Sequence, residues 1–65
     1  MNLKVNGEER QTEKRTLNEL LEEMGIMPER VAVEVNLKII KKADHDRYQL
    51  SEGDVIEIVN FVGGG

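Results

Sequence analysis

At 65 residues the chain has room for one small domain, which buries only about 60% of the surface its unfolded form exposes. It contains no cysteine, so neither a disulfide staple nor thiolate chemistry within the chain is available. Thirteen acidic residues against nine basic ones give a formal net charge of −4, a balance that argues against a nucleic-acid surface.

Asn2 to Val5 alternates, with Leu3 and Val5 on one face, and reads as a first strand. Asn6-Gly7 supplies the positive φ angles of a tight hairpin turn, and Glu8 to Gln11 returns as a polar strand suited to a sheet edge. Thr16 followed by Glu19 is a capping box, in which each side chain satisfies the other's free backbone donor. Leu17, Leu20, Leu21 and Met24 then form a single apolar stripe, with Glu22 and Glu23 facing water. Gly25 is the left-handed stop, and Pro28 prevents the helix from resuming. Val31, Val33 and Val35 mark a third strand, and Asn36-Leu37-Lys38 reads as a turn into a short strand around Ile39-Ile40. Lys41 to Gln49 is polar and irregular, a loop with a helical turn, and Ser51 to Asp54 is a turn cluster. Val55 to Phe61 is the strongest strand, with Ile56 and Ile58 toward the core and Val59 and Phe61 on the opposite, partly exposed face.

Hairpin, helix, hairpin-like pair and final strand make a two-layer α+β unit. The last strand is the most apolar, so it belongs at the centre of the sheet, parallel to the first. That arrangement is a β-grasp, a mixed sheet of four to five strands packed on one main helix, with residues 1–65 as a single domain. The start of the chain lacks the apolar stretch of a secretory signal, and no segment approaches the ~20 apolar residues of a membrane span. A soluble cytoplasmic protein with no membrane or nucleic-acid partner is expected.

The chain runs Val62-Gly63-Gly64-Gly65 after Phe61, a flexible tail over residues 62–65 that is costly to order. Such a run also suits a linker or an engineered terminus. What it offers chemically is slenderness: without Cβ atoms it threads a narrow channel and presents a terminal carboxylate. A carboxylate becomes electrophilic when ATP converts it to an acyl-adenylate, and a sulfur nucleophile then displaces AMP to leave a thiocarboxylate. A deep substrate pocket is hard to reconcile with so small a core, so the chain is expected to present a surface or an end to a larger partner.

The runs Val31-Ala32-Val33-Glu34-Val35-Asn36, Leu50 through Ile58, and Val62-Gly63-Gly64-Gly65 resemble the ThiS family of thiamin-biosynthesis sulfur carriers, ubiquitin-like β-grasp proteins. The resemblance covers essentially the whole chain, with Lys41 to Gln49 matching least well. It implies that the carboxylate of Gly65, following Gly64, is adenylated by a ThiF-type, ubiquitin-activating-enzyme-like adenylyltransferase that uses ATP and magnesium. It further implies a desulfurase persulfide as the sulfur source and a ThiG-type thiazole synthase as the recipient. The carrier would be a co-substrate rather than an enzyme, binding no cofactor itself. Val59, Phe61, Val62 and Gly63 are the candidate partner-binding residues. The molybdopterin-synthase small subunit and a ubiquitin-like modifier are the alternatives.

Other residues carry weaker signals. His45 lies between Asp44 and Asp46, but no second His or any Cys exists to complete a metal shell or a triad, so it reads as a solvated loop residue. Lys38, Lys41 and Lys42 read as a solvated basic turn, and Asn36 as a turn residue.

Overall fold

The alternation at the start of the chain becomes strand β1 (Asn2–Val5), with Leu3 and Val5 turned into the core. The computed structural model describes residues 1–61. β1 pairs antiparallel with β2 (Glu8–Gln11) across the Asn6-Gly7 turn, where φ is +50° and +82°. The helix α1 (Leu17–Glu23) begins at the expected capping box: the Glu19 N–H donates to Thr16 Oγ1 at 3.2 Å and the Thr16 N–H to Glu19 Oε1 at 3.1 Å. At its other end Gly25 adopts φ +73°. The Ile26 N–H then reaches back to the Leu21 carbonyl and the Gly25 N–H to that of Glu22, a complete Schellman closure.

A 3₁₀ turn at Pro28–Arg30 leads into β3 (Val31–Val35), which is followed by β4 (Lys38–Ile40), a second 3₁₀ turn at Lys42–Asp44 and finally β5 (Val55–Asn60). The order across the sheet is β2-β1-β5-β3-β4, so the last strand sits in the middle, parallel to β1 and antiparallel to β3. Among the described residues one α-helix packs on this five-stranded mixed sheet, the β-grasp arrangement expected. Leu17, Leu20 and Leu21 from the helix meet Leu3, Val5, Val31, Val33, Val35, Leu50 and Ile56 in one aliphatic core. No helix among the described residues is long and apolar enough to cross a membrane.

Three details differ from the sequence reading. Lys38 belongs to β4 rather than to the turn, which is only Asn36-Leu37, with φ +52° and +72°. β5 ends at Asn60, one residue early, although the Phe61 N–H still donates to the Arg30 carbonyl at 2.8 Å. His45 is not solvated but 3% exposed. Its Nε2 donates to the Ile40 carbonyl at 3.1 Å and its own carbonyl accepts the Asn18 N–H, so it ties the loop to β4 and to the helix start.

Asn36 does more than turn the chain. Its N–H donates to the Val55 carbonyl, its Oδ1 accepts the Val55 N–H at 2.9 Å, and its Nδ2 donates to Asp54 Oδ1 at 2.9 Å. Asp54 Oδ2 in turn accepts the Ser51 N–H, closing the turn before β5. Asn6 acts in the same way on the other side, its Oδ1 accepting the Ile58 N–H at 2.7 Å and its Nδ2 donating to the Ile58 carbonyl at 3.2 Å. Replacing Asn36 with glycine keeps a residue suited to φ +52° and removes only the side-chain bonds. Urea unfolding of Asn36→Gly is expected to show a loss of about 1–2 kcal/mol.

Hydrogen bonds to the N–H groups of Arg15 and Thr16 hold the Glu19 carboxyl below its ordinary value. A bond from the Thr12 hydroxyl lowers Glu23 in the same direction. A group lowered in the folded state contributes stability above its unfolded pKa, about 4.3 for glutamate, and loses it as pH falls through the folded value. Melting temperature is therefore expected to fall on acidification below that pH. Glu19→Gln, which keeps an oxygen for the capping box, is expected to flatten part of the decline.

Candidate functional site

The strict alternation of β5 creates two unlike faces. Ile56 is fully buried and Ile58 partly so, both toward the helix side. Val59 and the following Phe61 lie on the opposite face, 62% and 58% exposed, as their spacing predicts. Register then supplies their neighbours. Val59 is opposite Ala32, Glu57 is opposite Glu34, and Glu34 is in turn opposite Ile39 on β4. Ile39 is 74% exposed.

The outer sheet face is thus apolar at the end where the chain leaves, with two carboxylates side by side further back. Glutamates directly opposite on neighbouring strands repel one another, and neither finds a salt-bridge partner among the described residues. The Phe61–Arg30 hydrogen bond fixes the exit of the chain to the start of β3. The remaining sequence-predicted site residues, Val62, Gly63, Gly64 and Gly65, lie outside the described residues.

The structure does not bring the other flagged groups to this face. His45 is enclosed by its own loop and β4, and no group of three or more His, Cys, Asp or Glu side chains suited to a metal occurs among the described residues. Lys42 pairs with Glu29 at 3.7 Å, an exposed contact of little energetic weight. Sequence reasoning missed Glu34, Ile39, Glu57 and Leu37 as parts of the outer face. Alternation within β3 and β5 places both glutamates outward, but their meeting depends on a register between strands more than twenty residues apart along the chain.

The sequence model of the ThiS family matches residues 3–65. The chain belongs to the ThiS family. Members of this family are sulfur carriers of thiamin biosynthesis. The sulfur carrier protein ThiS of Thermus thermophilus is 41% identical over 61 residues, covering 94% of this chain and 95% of that one. The crystal structure of the thiamine biosynthesis protein ThiS from Geobacter metallireducens superposes with a TM-score of 0.85 at 32% identity, over 100% of both chains. A thiazole synthase of Paramagnetospirillum magneticum is 44% identical over 66 aligned residues. That alignment takes in 100% of this chain but spans only 20% of the synthase.

The two faces of β5 differ in what they contribute to folding. Ile56→Ala empties a fully enclosed site and is expected to cost about 2–5 kcal/mol by denaturant unfolding. Val59→Ala and Phe61→Ala remove exposed side chains and are expected to cost about 1 kcal/mol or less. Equal losses at the three positions would show that the outer face is part of the core.

Proposed function

We infer that this ThiS-family chain carries sulfur as a thiocarboxylate on Gly65 and hands it to a thiazole synthase. The observation that carries the reading is the family match, which runs through Gly64 and Gly65. It also favours the thiamin branch over the molybdopterin alternative.

The chemistry falls to partners because the carrier brings only an acid and a surface. A Gly65 carboxylate oxygen attacks the α-phosphorus of ATP, bound with magnesium by a ThiF-type adenylyltransferase, and pyrophosphate leaves. A persulfide sulfur, derived from cysteine through a desulfurase, adds to the acyl carbon and AMP departs. Attack of a partner thiol on the partner-side sulfur of the resulting acyl disulfide then expels the thiocarboxylate and leaves a disulfide on the partner. The carrier acts stoichiometrically, as a co-substrate.

Glycine at the reacting carbon leaves the carbonyl unhindered, and three glycines in succession let the acid enter a channel too narrow for side chains. Val59 and Phe61 give the partner an apolar surface ahead of the reacting end, and Val62 and Gly63 are assigned to the same contact from the sequence. The thiazole synthase of P. magneticum supports the choice of recipient, since a segment like this whole chain lies within an enzyme of that name.

Incubating the chain with the adenylyltransferase, Mg-ATP and a sulfur source is expected to give a product in which one oxygen is replaced by sulfur, localised to Gly65 by intact-mass and fragment spectra. A chain lacking Gly65 is expected to give none. Failure of the intact chain to gain sulfur overturns the reading, and attachment of its carboxyl to lysines of other proteins would make it a modifier instead.

A further inference from the structure

Two hairpin turns in this sheet form an internal comparison. Asn6-Gly7 and Asn36-Leu37 both pass through positive φ at both residues, +50° and +82° in the first, +52° and +72° in the second. Both asparagines return side-chain bonds to β5. The turns differ at their second position. Glycine occupies it freely in one, whereas in the other a leucine sets its Cβ against the left-handed backbone. The fold gives nothing evident in return, because Leu37 is 90% exposed and lies outside the core cluster. A strained backbone and a large apolar side chain in water, together at one residue, point to recognition rather than folding.

The surroundings of Leu37 describe what fits there. With Asn36, Val55 and Glu57 it lines a shallow, mostly apolar depression at the start of β5. Ile39 follows on the same side of the hairpin, and the opposed Glu34 and Glu57 stand beside it without a salt-bridge partner among the described residues. The complement of such a surface is an apolar socket flanked by lysine or arginine. Glu57 lies four residues and Val55 six residues before Phe61, so at about 3.3 Å each this patch lies ~13–20 Å from the point where the chain exits past Phe61.

We propose that Leu37 is the tail-distal anchor of the carrier on its thiazole synthase, entering an apolar socket while Glu34 and Glu57 meet a cationic side chain of that enzyme. This deepens the function proposed above and rests on it. The synthase is the occupant favoured because one relative holds a segment like this chain within a thiazole synthase. Covalent linkage makes the encounter intramolecular, and a docking face on the segment is what such linkage exploits. Two separated contacts orient the carrier, leaving the tail at the far end free to reach the reacting centre.

Leu37→Gly and Leu37→Asn place residues tolerant of positive φ at the turn. Urea midpoints of both are expected to equal or exceed that of the unmodified chain. Titration of each full-length variant against the thiazole synthase of the same organism is expected to show binding weakened about tenfold or more. A Glu34→Gln, Glu57→Gln double variant is expected to unfold at higher urea and to lose most of the salt dependence of binding. Unchanged affinity of the Leu37 variants overturns the proposal, as does a lowered urea midpoint in both, which would assign Leu37 to the fold. Variants that bind the synthase normally but are no longer adenylated overturn it too, placing Leu37 on the activating enzyme. If the unmodified carrier does not bind the synthase, the proposed recipient itself is wrong and this inference falls with it.

Discussion

The insertion of the last strand between the first and the third is the constraint on which the rest of the structure depends. Parallel pairing of β5 with β1 is brief, only Lys4 with Val55 and Val5 with Ile56, and it joins segments about fifty residues apart. Closing so long a loop for so few ladder bonds is unfavourable unless other groups extend the contact. Two asparagines do so. Asn6 continues the β1 side along β5 to Ile58, and Asn36 holds the start of β5 from the other flank through Val55 and Asp54. Both occupy left-handed turn positions, where a short amide side chain is tolerated and is also free to bond. One residue type therefore shapes each hairpin and fastens the central strand.

With β5 fixed, the rest follows as a division between two faces. The inner face collects Ile56 with valines of β3 and leucines of α1, and these buried aliphatics supply the cohesion that a chain without disulfides needs. The outer face departs from folding rules, with opposed like charges at Glu34 and Glu57, exposed Val59 and Phe61, and a leucine at positive φ. Each departure is small. Their concentration on one side of one sheet, Val59 and Phe61 beside the exit of the chain and Leu37, Glu34 and Glu57 further back, gives them a common meaning.

What could be read from the sequence was what is local. The capping box, the glycine stop and the leucine stripe involve residues within about two turns of one another, so spacing alone determined them. The central place of β5 also followed, from its apolar content. The asparagine clasps did not, because their partners lie up to 52 residues away and an asparagine beside a turn has an adequate local explanation. His45 was misplaced for a similar reason: flanking aspartates suggest solvent, yet the 3₁₀ turn ahead of it rotates the ring inward to reach Ile40. The outer face was half legible. Alternation exposed Val59 and Phe61, while the meeting of Glu34 with Glu57 required the register between strands.

A carrier of this kind meets opposing demands at its C-terminal end. On the proposed function the acid of Gly65 would pass between enzymes, which favours slender last residues, while delivery would favour their leaving the domain in a known direction. The Phe61–Arg30 hydrogen bond meets the second demand at the last described residue, pinning the backbone to the start of β3 just as β5 ends. Beyond it three glycines meet the first. On the proposed function the backbone held at Phe61 would limit the volume the acid searches, and residues without Cβ atoms would keep its approach unobstructed. A side chain added within the glycine run would obstruct entry to a channel, whereas loosening the hold on Phe61 would disperse the exit direction. The two changes would impair delivery by different physical routes, and the boundary between them falls at the edge of the sheet.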